Sequence, residues 1–247
     1  MNRGKLGFIL LPMTRCHAIP RLFLGARANF WRGAVVAMVF GLCAGCMSSG
    51  PAITDSARTG PFFKPRNFTG DPVLPANLRR VLVLPVYGGT VAEPESTAAL
   101  DDIVRSALQK QARFEVVQLT REDCRRRFGT PEISSVEALP HGFLEDLGRA
   151  FSADAVLFVD LTEYQPYRPL SVGFRAKLAT VQEVRLVWSF DETFSARDPA
   201  VKNSVRHHSI PDSPAGPSVD QTSAALESPS RFTTYAAETM FSTLPPR

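Results

Sequence analysis

Leu147-Gly-Arg-Ala-Phe-Ser-Ala-Asp-Ala-Val-Leu-Phe-Val159 holds the end of a helix, a stop and a strand in one run. Phe143, Leu144, Leu147 and Phe151 lie on one helical stripe, and Ser152-Ala153-Asp154 breaks it. Ala155-Val-Leu-Phe-Val159 is then short and wholly apolar, as a strand covered on both faces must be. A second run of this kind, Val81-Leu-Val-Leu84, stops at Pro85. Between the two, Leu100, Ile103, Val104, Ala107 and Leu108 recur at i, i+3, i+4, i+7 and i+8, which predicts an amphipathic helix over about 96–112. Phe114-Glu-Val-Val-Gln-Leu119 reads as a further strand. Thr120 is an N-cap with Asp123 in the capping position, opening a short helix to Phe128.

Beyond Pro169 the period falls to two. Val172, Phe174, Ala176 and Leu178, and then Leu186, Trp188 and Phe190, alternate with more polar neighbours. That pattern predicts an antiparallel hairpin with one face buried and one wet, turning near Gln182–Val184 without the usual Gly or Asn. Asp198-Pro199 and Ser228-Pro229 each combine an N-cap with a proline at the first helical position. They open helices to about His207 and, through Phe232, Tyr235, Ala236 and Met240, to the stop at Pro245-Pro246. The polar Pro/Ser/Ala stretch 209–228 between them is a loop. The order β-α-β-α-α-β-β-β-α-α indicates an α/β fold: a single three-layer-like domain over 76–247 with a mixed sheet.

The chain of 247 residues is 44% hydrophobic and 21% charged, which excludes collagen, a coiled-coil rod, a multi-span membrane protein and a mostly disordered chain. Its net charge of +4 is unevenly placed: residues 1–45 hold six Lys/Arg and no Asp or Glu, leaving 22 Lys/Arg against 24 Asp/Glu from Cys46 onward. The basic balance therefore belongs to the amino-terminal segment, and no nucleic-acid partner is expected. In that segment Ala34-Val-Val-Ala-Met-Val-Phe-Gly-Leu-Cys-Ala44 follows Arg27 and Arg32. The run is shorter than the roughly 20 residues of a spanning helix and reads as the apolar centre of a secretory signal. Pro51, Pro61, Pro65, Pro72 and Pro75, set among Gly, Ser and Thr, make 46–75 a flexible tether. Phe62, Phe63 and Phe68 within it are expected to dock onto the body.

Leu42-Cys43-Ala44-Gly45-Cys46 resembles the lipobox of bacterial lipoproteins, with Cys43 where that family usually carries an aliphatic residue. The resemblance implies removal of 1–45 as the signal segment, lipidation of Cys46 and a membrane partner reached through that lipid. With Met47 and Ser48 next, it also implies the outer membrane, facing the periplasm. Cys124 is then the one remaining thiol; without lipidation, a Cys46–Cys124 bridge is the competing account.

Arg80-Val-Leu-Val-Leu-Pro-Val86, the following helix, Phe114-Glu-Val-Val117 and the run 147–157 resemble an envelope-lipoprotein superfamily over about 78–195. It includes the curli-secretion lipoprotein, the outer-membrane activators of penicillin-binding proteins and the amino-terminal domain of the Tol-Pal translocation protein. The resemblance implies the same fold and a non-enzymatic binding or assembly role, with an envelope protein or peptidoglycan as partner.

No catalytic, cofactor or metal site is expected. His207 and His208 are adjacent on a helix, about 100° apart, and cannot easily share a metal. A metal-dependent periplasmic hydrolase using this loop, with Asp212 and Asp220 nearby, is the alternative function. Asp160, Glu163, Asp191 and Glu192 place carboxylates near strand ends, to be solvated or paired with Arg168, Arg175 or Arg185. Cys124-Arg-Arg-Arg127 reads as a charged, solvated helix turn with a lone thiol; the alternative is that its arginines lower the thiol pKa or grip an anionic lipid or glycan. Gly88-Gly89-Thr90 lacks the remaining glycines and the Lys-Ser/Thr of a phosphate loop, and reads as a plain loop. The alternating strands over 170–190 offer a face for strand addition by a partner.

Overall fold

The computed structural model describes residues 56–210 and 223–247. The two apolar runs become the middle of a six-stranded sheet: β2 (Arg80–Val83) pairs in parallel with both β3 (Glu115–Gln118) and β4 (Ala155–Gln165). From β4 onward the sheet is antiparallel, through β5 (Ser171–Thr180) and β6 (Leu186–Ser195) to a three-residue edge strand, β1 (Phe68–Gly70). The order across the sheet is β1-β6-β5-β4-β2-β3.

The two parallel connections run in opposite directions, outward from β2 to β3 and back across β2 to β4. A common right hand therefore sends their helices to opposite faces. Over one face lie α2 (Pro94–Lys110), α5 (Pro199–His208) and α6 (Pro229–Ser242). Leu100, Val104, Val201, Val205, Phe232 and Phe241 there close on Val81, Leu157, Phe174, Trp188 and Phe190. On the other face, α3 (Arg121–Phe128) and α4 (Phe143–Phe151) set Cys124, Phe143, Leu144 and Leu147 against Leu82, Leu84, Val156 and Phe158. Three layers result, and β4 is buried without a break from Ala155 to Leu161 because both of its faces are covered.

The caps behave as their chemistry requires. Thr120 Oγ1 accepts from Asp123 N at 3.0 Å, Asp198 Oδ1 from Ala200 N at 2.7 Å and Ser228 Oγ from Arg231 N at 3.4 Å. The hairpin turns where expected, and Val184 occupies the left-handed position usually given to Gly or Asn, at φ +49°.

The sheet begins earlier than composition suggests. Of the expected tether 46–75, residues 56–75 lie on the body and 46–55 fall outside the described residues. Helix α1 (Ser56–Thr59) rests on α5, β1 pairs with β6 in the register Thr69↔Ser189, and Ala57 and Leu74 are buried. Among its aromatics, Phe63 packs against the core, while Phe62 and Phe68 stay exposed. The reason is physical: backbone groups of β6 pair with an edge strand whatever its side chains are. The far end of the expected loop also packs, with Ala225 buried and Leu226 against the core, while 211–222 lie outside the described residues.

Candidate functional site

The parallel strands β2 and β3 lead into helices on opposite faces, and the crevice beyond their carboxyl ends is where open α/β sheets bind ligands. One side chain fills it. Arg121, the first residue of α3, reaches Asp101 on α2 from Nε at 2.7 Å and from Nη2 at 3.0 Å. Its Nη1 meets Glu132 Oε2 at 2.6 Å, and Nη2 also donates to the carbonyl of Val86 at 2.8 Å. Asp101 Oδ1 in turn accepts from Val86 N, and Glu132 Oε1 from Gly88 N and Gly89 N. The Gly88-Gly89 loop thus wraps a carboxylate. Gly89 sits at φ +51°, and a Cβ on Gly88 would come within 2.3 Å of Thr97 Oγ1.

Burial pushes the Asp101 carboxyl up, against the opposing pull of Arg121 and the Val86 N–H. Burial also opposes the charge on Arg121, but its bonds to Asp101 and Glu132 outweigh this and hold the guanidinium charged. The network is closed on itself: each of its polar groups already has a protein partner.

Beside it a groove of about 580 Å³ opens between the loop after β2 and the segment joining α3 to α4. Its walls include Phe128, Ile133, Leu139, Pro140 and Phe143, and its rim carries Tyr87, Arg127, Glu132 and Glu137. The Tyr87 hydroxyl donates to Glu137 at 3.4 Å, and burial, followed by the charge of Glu137, raises the Tyr87 pKa. The arrangement suits an apolar group held against a ring and a hydrogen-bonding rim. It sets no nucleophile beside a base.

The residues singled out in the sequence scatter. Cys46 lies outside the described residues. His207 and His208 part company: His207 Nδ1 donates to Ala57 O at 3.0 Å, and His208 Nε2 to Glu238 Oε2 at 2.8 Å. Glu238 also receives Lys110 Nζ at 2.7 Å; burial raises its pKa, but these two partners outweigh it and the pKa falls. Among the described residues no three His, Cys, Asp or Glu come together to hold a metal.

The carboxylates also divide. Asp160 is buried and accepts from Ser135 N and Oγ, at 2.9 and 2.8 Å, fixing the segment that walls the groove. Asp191 pairs with Arg175 at 2.8 Å, and Glu192 caps the N–H groups of Arg66 and Asn67. Arg168 goes to Glu227, and Arg185 to Asp71 and Glu183.

The turn's three arginines are exposed, as expected, and the alternative of an activated thiol is contradicted by Cys124. It faces the core rather than its three arginines, and burial pushes the thiol up to about 11. The strands over 170–190 are likewise not free to add a partner: β5 lies inside the sheet, and Lys177 Nζ donates to Ser135 O at 2.7 Å. The edges are β1 and β3. Arg121 was legible only as a residue next to a cap, since its partners lie 20 and 11 positions away.

No protein-family model matches the chain, and no curated protein matches it. Solved structures do. The chain is similar to the PelC dodecamer from Paraburkholderia phytofirmans at 16% identity, over 73% of this chain and 97% of that one, with a TM-score of 0.41. It is similar to lipoprotein GNA1162 from Neisseria meningitidis at 19% identity, over 49% and 85%, with a TM-score of 0.38. The LpoB C-terminal domain from Salmonella enterica matches at 18% identity over 49% and 86%, with a TM-score of 0.33. Among the described residues, no helix is long and apolar enough to cross a membrane.

Proposed function

We propose that the protein is an envelope lipoprotein, anchored in the outer membrane through Cys46, whose α/β body binds another envelope protein without performing chemistry on it. The observation that carries the binding role is the groove at the carboxyl ends of the parallel strands. It is open, walled by Phe128, Leu139 and Phe143, and bordered by an Arg121 network with no group left over for a reaction. The anchor is supported by the basic flank, the apolar run 34–44 and the small pair before Cys46.

Two measurements test this. A photo-crosslinking residue at Leu139, which is 37% exposed on the groove wall, is expected to give one recurrent protein adduct in intact cells. The same residue at Glu122, on the exposed side of α3, should not give it; equal adducts from both positions, or none from Leu139, would refute the binding role. Intact mass of the membrane-extracted protein is expected to show a chain starting at an acylated Cys46. A chain starting at Met1 or Met47 sinks the anchor alone.

A further inference from the structure

The body from Cys46 onward is slightly acidic overall, yet the segment by which it is attached is not. From Ser56 to Gly70 there is no Asp or Glu, while Arg58, Lys64 and Arg66 are all exposed. Between them Phe62 and Phe68 are 39% and 43% exposed, a large share for phenylalanine. Cations interleaved with half-exposed rings are what an interfacial surface presents: the rings enter the headgroup boundary and the charges meet phosphates.

The strap is held in place along its whole length. Ala57 O accepts from His207 Nδ1 at 3.0 Å, Pro61 O from Asn203 Nδ2 at 3.2 Å, and Phe63 N donates to Ser204 Oγ at 2.8 Å. The Phe63 ring also packs, tilted, against Phe194, with ring centroids 5.2 Å apart. Further along, the N–H groups of Arg66 and Asn67 donate to Glu192, and Asn67 O accepts from Asp191 N at 2.9 Å. The carboxylates facing the strap are thereby engaged: Glu192 by backbone N–H groups, Asp191 by Arg175, and Asp198 as the cap of α5. Among the described residues, Arg58, Lys64 and Arg66 form no ion pair. Helix α5, on which the strap lies, has no acidic residue and adds the exposed Lys202.

We propose that this strap docks the body flat onto the anionic headgroups of a phospholipid bilayer. The occupant follows from charge complementarity and from reach. Ten positions separate Cys46 from Ser56, a span of at most ~35 Å at full extension. The inference thus rests on the anchored reading above for its setting, but the surface chemistry stands on its own residues. A bilayer that holds Cys46 therefore lies within reach of the strap.

The test uses a chain starting at Met47, which keeps every residue of both hydrophobic clusters and carries no lipid, so a failure of lipidation cannot affect it. Binding is measured by co-sedimentation with vesicles of phosphatidylglycerol and phosphatidylethanolamine (3:7), and with phosphatidylcholine alone, from 25 to 300 mM salt. Each cation near an anionic surface is worth about fivefold in partitioning, so Arg58→Ser/Lys64→Ser/Arg66→Ser is expected to lose on the order of a hundredfold. The equally discharged control Arg105→Ser/Arg125→Ser/Arg149→Ser, which removes one half-buried and two exposed arginines from α2, α3 and α4, should retain most binding; unchanged thermal unfolding checks both folds. Salt-sensitive binding to the anionic vesicles that only the strap variant loses supports the proposal. Three outcomes overturn it: no preference for phosphatidylglycerol, equal losses in both variants, or displacement by millimolar inorganic phosphate at constant ionic strength, which would assign the strap to a soluble phosphate ligand.

Discussion

Arg121→Met removes one cation from between two carboxylates and a carbonyl while roughly keeping the volume of the stem. The side chains of Asp101, Arg121 and Glu132 are only 12%, 17% and 17% exposed, so water replaces the guanidinium poorly. Breaking one side of a buried ion pair costs about 3–5 kcal/mol, and the residual exposure places this site near the lower end, at about 3 kcal/mol. For a domain of this size that is a drop in Tm of roughly 6–12 °C. The loss must also depend on pH. Burial already raises the folded-state pKa of Asp101 above its unfolded value, and without Arg121 it rises further. A carboxyl raised in the folded state binds more protons folded than unfolded, so its contribution improves as pH falls from above the folded value toward the unfolded one near 4. The variant's deficit in urea unfolding is therefore largest at pH 7 and narrows as the pH is lowered toward the unfolded value. A deficit below about 1 kcal/mol at pH 7, or one that widens on acidification, would refute the closed-network description.

Val184→Gly should stabilise the protein. Val184 is a β-branched residue at φ +49° with 59% of its surface exposed, so little packing is lost and a strained backbone is relieved. The expected gain is about 0.5–1 kcal/mol after the entropy of the unfolded glycine is subtracted, and a lowered Tm would count against it. Cys124, buried and with a pKa of about 11, should resist Ellman's reagent at pH 8 in the folded chain starting at Met47 and react fully in urea. Stoichiometric labelling within minutes under native conditions would show that the thiol does not face the core.

The order of elements from β2 to α6 was readable because each rests on a local signal. Apolar runs marked β2 and β4, a 3.6-residue stripe marked α2, alternation marked β5 and β6, and Thr120, Asp198 and Ser228 marked where helices begin. What failed to show were features made by partners far away in the chain. The segment 56–75 has the composition of a tether, but Phe63 meets Ser204 across 141 positions and Arg66 meets Glu192 across 126. His207 and His208 are neighbours in sequence, yet one bonds Ala57 in α1 and the other Glu238 in α6. The arginines beside Cys124 left a reactive thiol open as an alternative, because composition cannot say which way a helix residue faces.

By itself the chain's amino-acid order determined the α/β class, the mixed sheet and, to within about two residues, where α2 to α6 begin and end, since propensity, periodicity and capping act over a few residues. It also supplied the lipobox-like expectation at Cys46. Only the tertiary structure decided that Arg121 closes the crevice, that a groove opens beside it, and that a basic, ring-bearing strap is fastened to α5 and β6. Those outcomes depend on backbone pairing and desolvation between distant segments, which no local window of sequence contains.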